Sequence, residues 1–330
     1  MSFNIALVDD EFTDPDQRAT AERRLFTYSA KALDIAVTID RIFVAHPAFV
    51  QSLEALDRAF QLGPALSVPQ GVVLTGPTGS GKTSLLRYFQ HSLPSSNLFE
   101  ANLGALSVRL QERPALGRVV STLLHRLRYP FPRVSDNTVG AKRDILFEAM
   151  RQKGTRLVLV DEAGHMCGPG VRRSLRPDDG NEITEFLCEL IDEARVALVL
   201  SGDQRLDDLS RTARTLAARV VRREQLVDFS MGASWHGFVK TFSSLSGIFD
   251  LSYLLADGQL ALLHKAAKGN PRRFKALTTE AVLVAVDARR SKLDRATLEL
   301  AFDRMEGSID RATNPFRLSR PPQEKSDGTS

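Results

Sequence analysis

The segment from Gly71 to Arg87 constrains the fold of this chain more than any other stretch. Within it, Gly76, Gly81, Lys82 and Thr83 fill the pattern G-x-x-x-x-G-K-[ST]. A short, β-branched apolar run precedes the pattern, and a stretch with helical spacing of apolar residues follows it. This order of strand, glycine-rich turn and helix is the context that a phosphate-binding loop requires.

The residue types of the loop predict how it binds the phosphates of ATP. Glycines allow a tight turn that brings backbone N–H groups to phosphate oxygens, and the start of the following helix adds a partial positive charge. Lys82 is expected to contact the β- and γ-phosphates, and the Thr83 hydroxyl is expected to bind Mg²⁺. The predicted nucleotide-binding set is Gly76, Pro77, Thr78, Gly79, Ser80, Gly81, Lys82, Thr83 and Ser84.

Two adjacent carboxylates follow a second predicted strand. The apolar run Leu157–Val160 ends at Asp161 and Glu162. Ligands of open α/β sheets bind at the carboxyl ends of the strands, so we expect both acids beside the phosphate loop. Asp161 is predicted to hold Mg²⁺, usually through water, and Glu162 to orient and activate the attacking water.

A third apolar run, Val196–Leu200, ends in polar residues. A polar side chain at that position would lie beside the γ-phosphate, and either Asp203 or Ser201 fits this role. The alternative is a plain turn at the end of a strand, because turns favour the same residue types.

Composition sets wider limits on the 330-residue chain, of which 43% is hydrophobic and 25% is charged. These values are typical of a globular protein with one large or two modest domains. No apolar run reaches the roughly 18 residues of a membrane span, and the acidic N-terminus does not resemble a signal peptide. We therefore expect a cytoplasmic protein without a membrane partner.

Arginines are distributed unevenly along the chain. The net charge of +4 does not by itself indicate a nucleic-acid partner, but the first twenty residues are acidic and leave the remainder more basic. Two groups of arginines are candidates for contact with DNA, although runs of charge more often simply face water. The groups are Arg113, Arg118 and Arg126, and Arg172, Arg173 and Arg176.

The elements predict an α/β fold with a parallel sheet flanked by helices, followed by a small all-helical lid. Residues 1–44 are expected to be a partly disordered N-terminal extension, and 45–232 the nucleotide-binding domain. The helical lid is expected over 233–315, and a disordered tail over 316–330. The last strand of the sheet is predicted over Gln225–Phe229.

Taken together, these motifs resemble those of the AAA+ ATPases over about residues 45–308. The segment Leu216-Ala-Ala-Arg-Val220 and the arginine pair in Gly269–Phe274 add to the resemblance. It implies that Arg219 reaches the nucleotide of a neighbouring subunit. It also implies that Arg272, with Arg273 next to it, senses the γ-phosphate from the lid.

Within the AAA+ group, the compact lid, the short N-terminal extension and the Gly-Asn-Pro-Arg motif at 269–272 look like the TniB type of transposition ATPase, whose relatives include TnsC and MuB. This resemblance implies an ATP-dependent, DNA-binding homo-oligomer, a ring or a filament, on duplex target DNA. It further implies recruitment of a DDE transposase, with an accessory targeting protein as a further partner.

Two other classes of function share much of this pattern. One is a different DNA-handling AAA+ protein, such as an initiator or a helicase loader, although no winged-helix domain is evident after residue 308. The other is a protein-binding secretion or signalling ATPase of the ExeA type, although no membrane segment or appended domain is evident.

Overall fold

The computed structural model describes residues 28–67, 69–93, 104–129, 139–167, 180–307 and 314–317. The chain divides into two compact units. The first comprises Ala45–Ser230 together with Gly269–Arg272, and the second comprises 1–44, 231–268 and 273–330.

The first unit is built on a five-stranded sheet with the order β2-β3-β4-β1-β5. Its strands are β1 Val72–Thr75, β2 Ala105–Arg109, β3 Leu157–Asp161, β4 Ala197–Gly202 and β5 Arg222–Gln225. Every strand pair is parallel, so the carboxyl ends of all five strands meet at one edge. That edge is where ligands bind in open α/β sheets.

The α-helices, numbered in chain order, alternate with the strands in the first unit and dominate the second. They are α1 Ala30–Arg41, α2 Pro47–Leu62, α3 Lys82–Ser92, α4 Leu116–Arg126, α5 Val139–Gln152, α6 Glu182–Asp192, α7 Leu209–Thr212, α8 Arg214–Ala217, α9 Ala233–Leu245, α10 Gln259–Ala267, α11 Pro271–Asp287 and α12 Arg295–Glu306. Across the described ranges, none of these helices has the length and apolar character needed to span a membrane.

The core of the first unit explains why this sequence forms these layers. The residues of β3 are all buried, and those of β4 are too, as expected for central strands covered on both faces. Helix α4 turns Val120 and Leu123 toward the sheet, and α6 contributes Phe186 and Leu190 to the same cluster. The structure confirms the predicted class of a parallel sheet flanked by helices.

The last strand begins earlier than the sequence predicts. The expected strand was Gln225–Phe229, whereas β5 is Arg222–Gln225. It is an edge strand in which only Glu224 is buried, so it lacks the apolar run that marks a central strand. Pairing of Val72 with Arg222 fixes its register instead.

The second unit has an aromatic core. Trp235, Phe238 and Phe242 of α9 pack with Phe274 of α11 at ring-centroid distances of 5.1–5.4 Å. Helix α1 belongs to this unit, where Ala32 and Ala36 pack against Leu283. A helix within 1–44 therefore contributes to the helical unit.

The expectation of disorder from Phe316 onward is wrong at its first residues. Phe316 is fully buried and packs against Phe302, with ring centroids 6.3 Å apart. The Asn314 side chain accepts a hydrogen bond from the Phe316 N–H, and Arg317 pairs with Asp303. Burial of the ring and these polar contacts fix the segment. The remainder of the expected tail lies outside the described residues.

Candidate functional site

The phosphate-loop pattern lies at the carboxyl end of β1 and leads directly into α3. The Lys82 ammonium donates to the carbonyls of Gly76 and Pro77 at 2.7 and 2.9 Å, so it closes across the loop. Burial lowers the pKa of Lys82, while the nearby carboxylates of Glu162 and Asp161 oppose that shift. The lysine is therefore a cation among acids at the centre of the loop.

Two glycines have backbones that other residues adopt only with strain. Gly79 has φ +88° and Gly81 has φ +101°, both in the left-handed region. At Gly79 a side chain would also clash, because a Cβ there would lie 2.6 Å from the Asn270 Oδ1. At Gly81 nothing lies within 4 Å, so only the backbone conformation requires glycine.

Thr83 and Asp161 meet at the floor of the site. The Thr83 hydroxyl donates to the Asp161 Oδ2 at 2.9 Å, although 78 residues separate them in sequence. Asp161 is only 5% exposed, and its Oδ1 accepts from the Ser201 hydroxyl at 3.3 Å and from the Glu162 N–H at 3.1 Å. The sheet thus brings a hydroxyl of α3 and a carboxylate of β3 together.

Glu162 follows β3 with a strained backbone. Its φ of +55° is unusual for a residue with a side chain, and such strain concentrates at functional sites. Its side chain is 34% exposed and accepts from the Arg109 guanidinium at 3.4 Å. Arg109 is the last residue of β2, so the carboxyl edge of the sheet also holds a cation near the candidate base.

The described residues fit a nucleoside triphosphate with Mg²⁺. Ser80 is buried, yet its hydroxyl has no hydrogen-bond partner among the residues that the structure describes. The Thr83 hydroxyl and the Asp161 carboxylate form the oxygen donor set that Mg²⁺ prefers. Helix α3 begins after Gly81 without a side-chain cap, which suits an anion at its N-terminus.

At the end of β4, the two candidates for contact with the γ-phosphate differ in their partners. The Asp203 carboxylate accepts from the Arg205 Nε at 2.9 and 3.0 Å and caps the short turn that follows. The hydrogen bonds from Arg205 lower the pKa of Asp203. Ser201, in contrast, is fully buried and reaches Asp161. Ser201 is therefore the residue of this strand end that contacts the predicted magnesium ligand.

Arg219 lies far from the phosphate loop of its own chain. Its carbonyl accepts from the Gly71 N–H at the amino end of β1, which is the edge opposite the loop. Its guanidinium makes two hydrogen bonds to the Asp192 carboxylate, at 2.7 and 3.1 Å. The predicted contact of Arg219 with a neighbouring subunit's nucleotide thus requires that this ion pair open or move.

The two arginines of the Gly269–Phe274 segment have different surroundings. Arg272 is exposed and close to the loop, because a Cβ added to Gly79 would lie 3.0 Å from its Cβ. Its charge also contributes to lowering the pKa of Lys82. Arg273 instead pairs with Glu306 of α12. Arg272 thus lies near the phosphate loop within the nucleotide-binding unit.

Three residues of the site were missed or left open by the motifs. Arg109 could have been found as another polar residue at the end of a strand, and Ser201 was one of two alternatives. Asn270 lies inside the Gly-Asn-Pro-Arg motif and donates to the Thr78 carbonyl at 3.0 Å, a contact that no local pattern indicates.

Of the two groups of candidate DNA-binding arginines, only one lies within the described residues. Arg113, Arg118 and Arg126 are exposed, the first just before α4 and the other two near its start and at its end. Arg113 and Arg118 line a cleft of about 350 Å³ together with Arg109. Arg172, Arg173 and Arg176 lie outside the described residues.

Comparison with known proteins adds a family and a fold. The family model described as Bacterial TniB protein matches residues 35–229. No curated protein matches this chain.

Solved structures of origin-recognition proteins share the fold at low sequence identity. The Aeropyrum pernix ORC2 protein, solved as ADPNP-ADP complexes, superposes with a TM-score of 0.59 at 15% identity, covering 84% of this chain and 73% of that chain. The Aeropyrum pernix ORC1 protein in complex with DNA gives a TM-score of 0.55 at 17% identity, with coverages of 77% and 64%. Cdc6p from Pyrobaculum aerophilum gives 0.57 at 16% identity, with 80% and 69%. The fold is thus that of AAA+ P-loop proteins.

Proposed function

Because the chain belongs to the bacterial TniB family, we propose that it is an ATP-hydrolysing AAA+ protein that assembles as a homo-oligomer on duplex DNA during transposition. There it selects target sites or recruits a DDE transposase, with an accessory targeting protein as a further partner. The observation that carries the catalytic part is the contact of Thr83 with Asp161 at 2.9 Å beside the phosphate loop.

The side chains divide the work of hydrolysis. Lys82 and the N–H groups of the loop bind the phosphates, and Thr83 and Asp161 would hold Mg²⁺, which neutralises phosphate charge when bound. Glu162 accepts a proton from the attacking water at its carboxylate. Arg109, 3.4 Å from Glu162, competes for that carboxylate. Arg272 and, from a neighbouring subunit, Arg219 stabilise charge on the transferred phosphoryl group.

Charge around α4 supports DNA as the partner. Between residues 104 and 129 a single acid, Glu112, accompanies the arginines. These are Arg109, Arg113, Arg118, Arg126 and Arg128. Phosphate contacts of this kind bind duplex DNA with little dependence on sequence. A chain with net charge +4 binds weakly alone, but an oligomer sums such contacts along one duplex.

A second candidate is a DNA-handling AAA+ protein outside transposition, such as an initiator. It is favoured by the fold of the Aeropyrum pernix ORC1 protein, which was solved in complex with DNA. The two candidates differ in their protein partner. Stimulation of strand transfer by a DDE transposase in the presence of this protein and ATP favours the first candidate, and the absence of such stimulation favours the second.

The proposal is tested by electron microscopy of the protein with duplex DNA and an ATP analogue. We expect ordered oligomers on DNA that need the nucleotide. Glu162→Gln is predicted to keep ATP binding and to lower turnover about 10²–10⁴-fold, because the water loses its general base. Oligomers of this variant should persist on DNA with ATP itself. Turnover near the wild-type rate would remove Glu162 from the proposed role.

A further inference from the structure

Asn270 joins three segments of the nucleotide-binding unit through one side chain. Its amide Nδ2 donates to the Thr78 carbonyl at 3.0 Å and to the Asp228 carboxylate at 2.8 Å. Its Oδ1 accepts from the Arg272 N–H at 3.1 Å. The side chain is thus attached to the phosphate loop, to the segment after β5 and to the turn that carries Arg272.

The orientation of this amide is fixed by its neighbours. A carboxylate only accepts hydrogen bonds at neutral pH, so the nitrogen of the Asn270 amide has to face Asp228. The oxygen is then directed to the Arg272 N–H, as in the cap of a helix that begins at Pro271. The same nitrogen supplies its second hydrogen to Thr78.

The contact with Thr78 bears on the phosphate loop through peptide geometry. The peptide bond that joins Thr78 to Gly79 is trans, since the described chain has no cis peptide. In a trans peptide the C=O and the following N–H point in opposite directions. By holding the Thr78 carbonyl, Asn270 directs the Gly79 N–H away from itself. The absence of a Cβ at Gly79 is what admits Asn270 so close.

We propose that Asn270 is a positioning residue for nucleotide binding and hydrolysis. It orients the Thr78–Gly79 peptide of the phosphate loop and fixes the position of the Arg272 backbone relative to that peptide. The inference rests on the proposed ATPase function and adds to it a residue that touches neither the phosphates nor the water. Its segment, Gly269–Arg272, is further fixed by the Phe229 N–H, which donates to the Gly269 carbonyl at 2.9 Å.

The chain contains a matched control for this arrangement. Asn314 has the same three kinds of contact, because its Nδ2 donates to the Glu299 carbonyl and the Asp303 carboxylate, and its Oδ1 accepts from the Phe316 N–H, each at 2.9 Å. It is 5% exposed, against 7% for Asn270. Asn314 belongs to the helical unit, outside the phosphate loop. Substitutions at 314 therefore reproduce the structural cost without the proposed effect on nucleotide.

The experiment compares Asn270→Ser with Asn314→Ser in the full-length chain. Serine keeps an acceptor that caps the turn but cannot donate to both Thr78 and Asp228. The measurements are kcat and KM for ATP, the affinity for a fluorescent ATP analogue, and the thermal midpoint. We expect Asn270→Ser to weaken analogue binding about five- to tenfold, the size of one or two lost hydrogen bonds, and to lower kcat. Asn314→Ser should lower the thermal midpoint with both kinetic constants unchanged.

A charge swap separates the contact with Thr78 from the contact with Asp228. Asn270→Asp keeps the cap but places a second carboxylate against Asp228 and leaves Thr78 without its donor. Adding Asp228→Asn restores a donor–acceptor pair between these two positions, with the roles reversed. We expect the double variant to regain thermal stability but not nucleotide affinity, since the Thr78 carbonyl still has no partner in residue 270.

Two results would overturn the inference. One is a KM and kcat of Asn270→Ser that match those of Asn314→Ser, because Asn270 would then be only a cap. The other is full recovery of affinity in the charge-swap variant, since the Thr78 contact would then be dispensable. Wild-type protein that binds no ATP analogue would instead overturn the ATPase function itself, and with it this inference.

Discussion

At the scale of single residues, Lys82 tests the nucleotide site most directly. Its ammonium lies among Gly76, Pro77, Glu162 and Asp161, so its removal takes away the central cation of the loop. We expect Lys82→Ala to weaken ATP binding about 100-fold or more, as for the loss of charge-assisted hydrogen bonds. Fluorescence titration with an ATP analogue measures the effect.

The matched control for Lys82 is Lys240→Ala, which removes an exposed lysine of α9. It should leave the ATP affinity unchanged while lowering the net charge by the same amount. Equal affinities in the two variants would contradict the assignment of Gly76–Thr83 as a phosphate-binding loop.

The residues whose proximity could be predicted from sequence are those that belong to short contiguous patterns. Lys82, Thr83 and Asp161 belong to such patterns, and the structure brings the last two within 2.9 Å. Asn270 and Arg109 act through partners that lie 192 and 53 residues away in the chain. A pattern of spacing does not identify the partner in either contact, because the partner depends on how the fold brings distant segments together.

At the scale of elements, the turn from β1 to α3 depends on glycines for two separate reasons. Gly79 combines a left-handed backbone with the close approach of Asn270, whereas Gly81 has the backbone requirement alone. We expect Gly79→Ala to cost more than Gly81→Ala, for which left-handed strain alone predicts a loss of about 1–2 kcal/mol. Chemical denaturation measures the free energy of unfolding, and titration measures the loss of ATP affinity.

Gly140→Ala is the control for these two substitutions. Gly140 lies in α5 with open space around it and an ordinary helical backbone, so alanine should stabilise the helix by up to about 1 kcal/mol. Equal costs for Gly79→Ala and Gly81→Ala would show that Asn270 yields easily to a methyl group.

Strands were predictable in proportion to their burial. β3 and β4 are buried along their length, and their runs of apolar residues predict both strands. β5 has one buried residue among four and includes two arginines, so it lacks the apolar run by which a strand is predicted from sequence. Its pairing with β1, and not its composition, makes it a strand. The pairing of β5 with β1 cannot be predicted from the residues of β5 in a single sequence.

At the scale of the whole molecule, Arg219 tests whether sites are shared between subunits. Arg219→Ala should lower turnover by on the order of 10³-fold without weakening ATP binding, because its proposed phosphate partner lies in another subunit. Mixing it with Glu162→Gln protein should restore some activity, since one type of mixed interface has both residues intact. ATP turnover across mixing ratios measures the recovery.

Asp192→Ala is the control for Arg219, because it breaks the same intrachain ion pair from the other side. If Arg219 acts only through that pair, the two variants should lose equal turnover. Co-assembled mixtures that recover no activity at any ratio would argue against a shared site.

Binding to DNA is a property of the assembled molecule and is measured through its dependence on salt. Each phosphate neutralised by the protein contributes about −0.9 to the slope of log K against log salt. Arg118 and Arg126 lie on α4, which packs on the sheet through Val120 and Leu123, so these two present their charges from a rigid element, and Arg113 lies just before the helix.

Replacing Arg113, Arg118 and Arg126 together by alanine should therefore weaken DNA binding and make the salt slope less negative by about 2 to 3 per protomer if all three contact phosphates. The control replaces Arg41, Arg58 and Arg289, which are also exposed but lie on α1, on α2 and after α11. It removes the same charge, so any effect of net charge alone appears in both variants.

Fluorescence anisotropy with a labelled duplex and an ATP analogue, from about 50 to 200 mM salt, gives both slopes. Equal slopes in the two variants would exclude α4 as the DNA-binding element, because only total charge would then matter. Absence of binding by the wild-type protein at 50 mM salt would contradict the DNA partner itself.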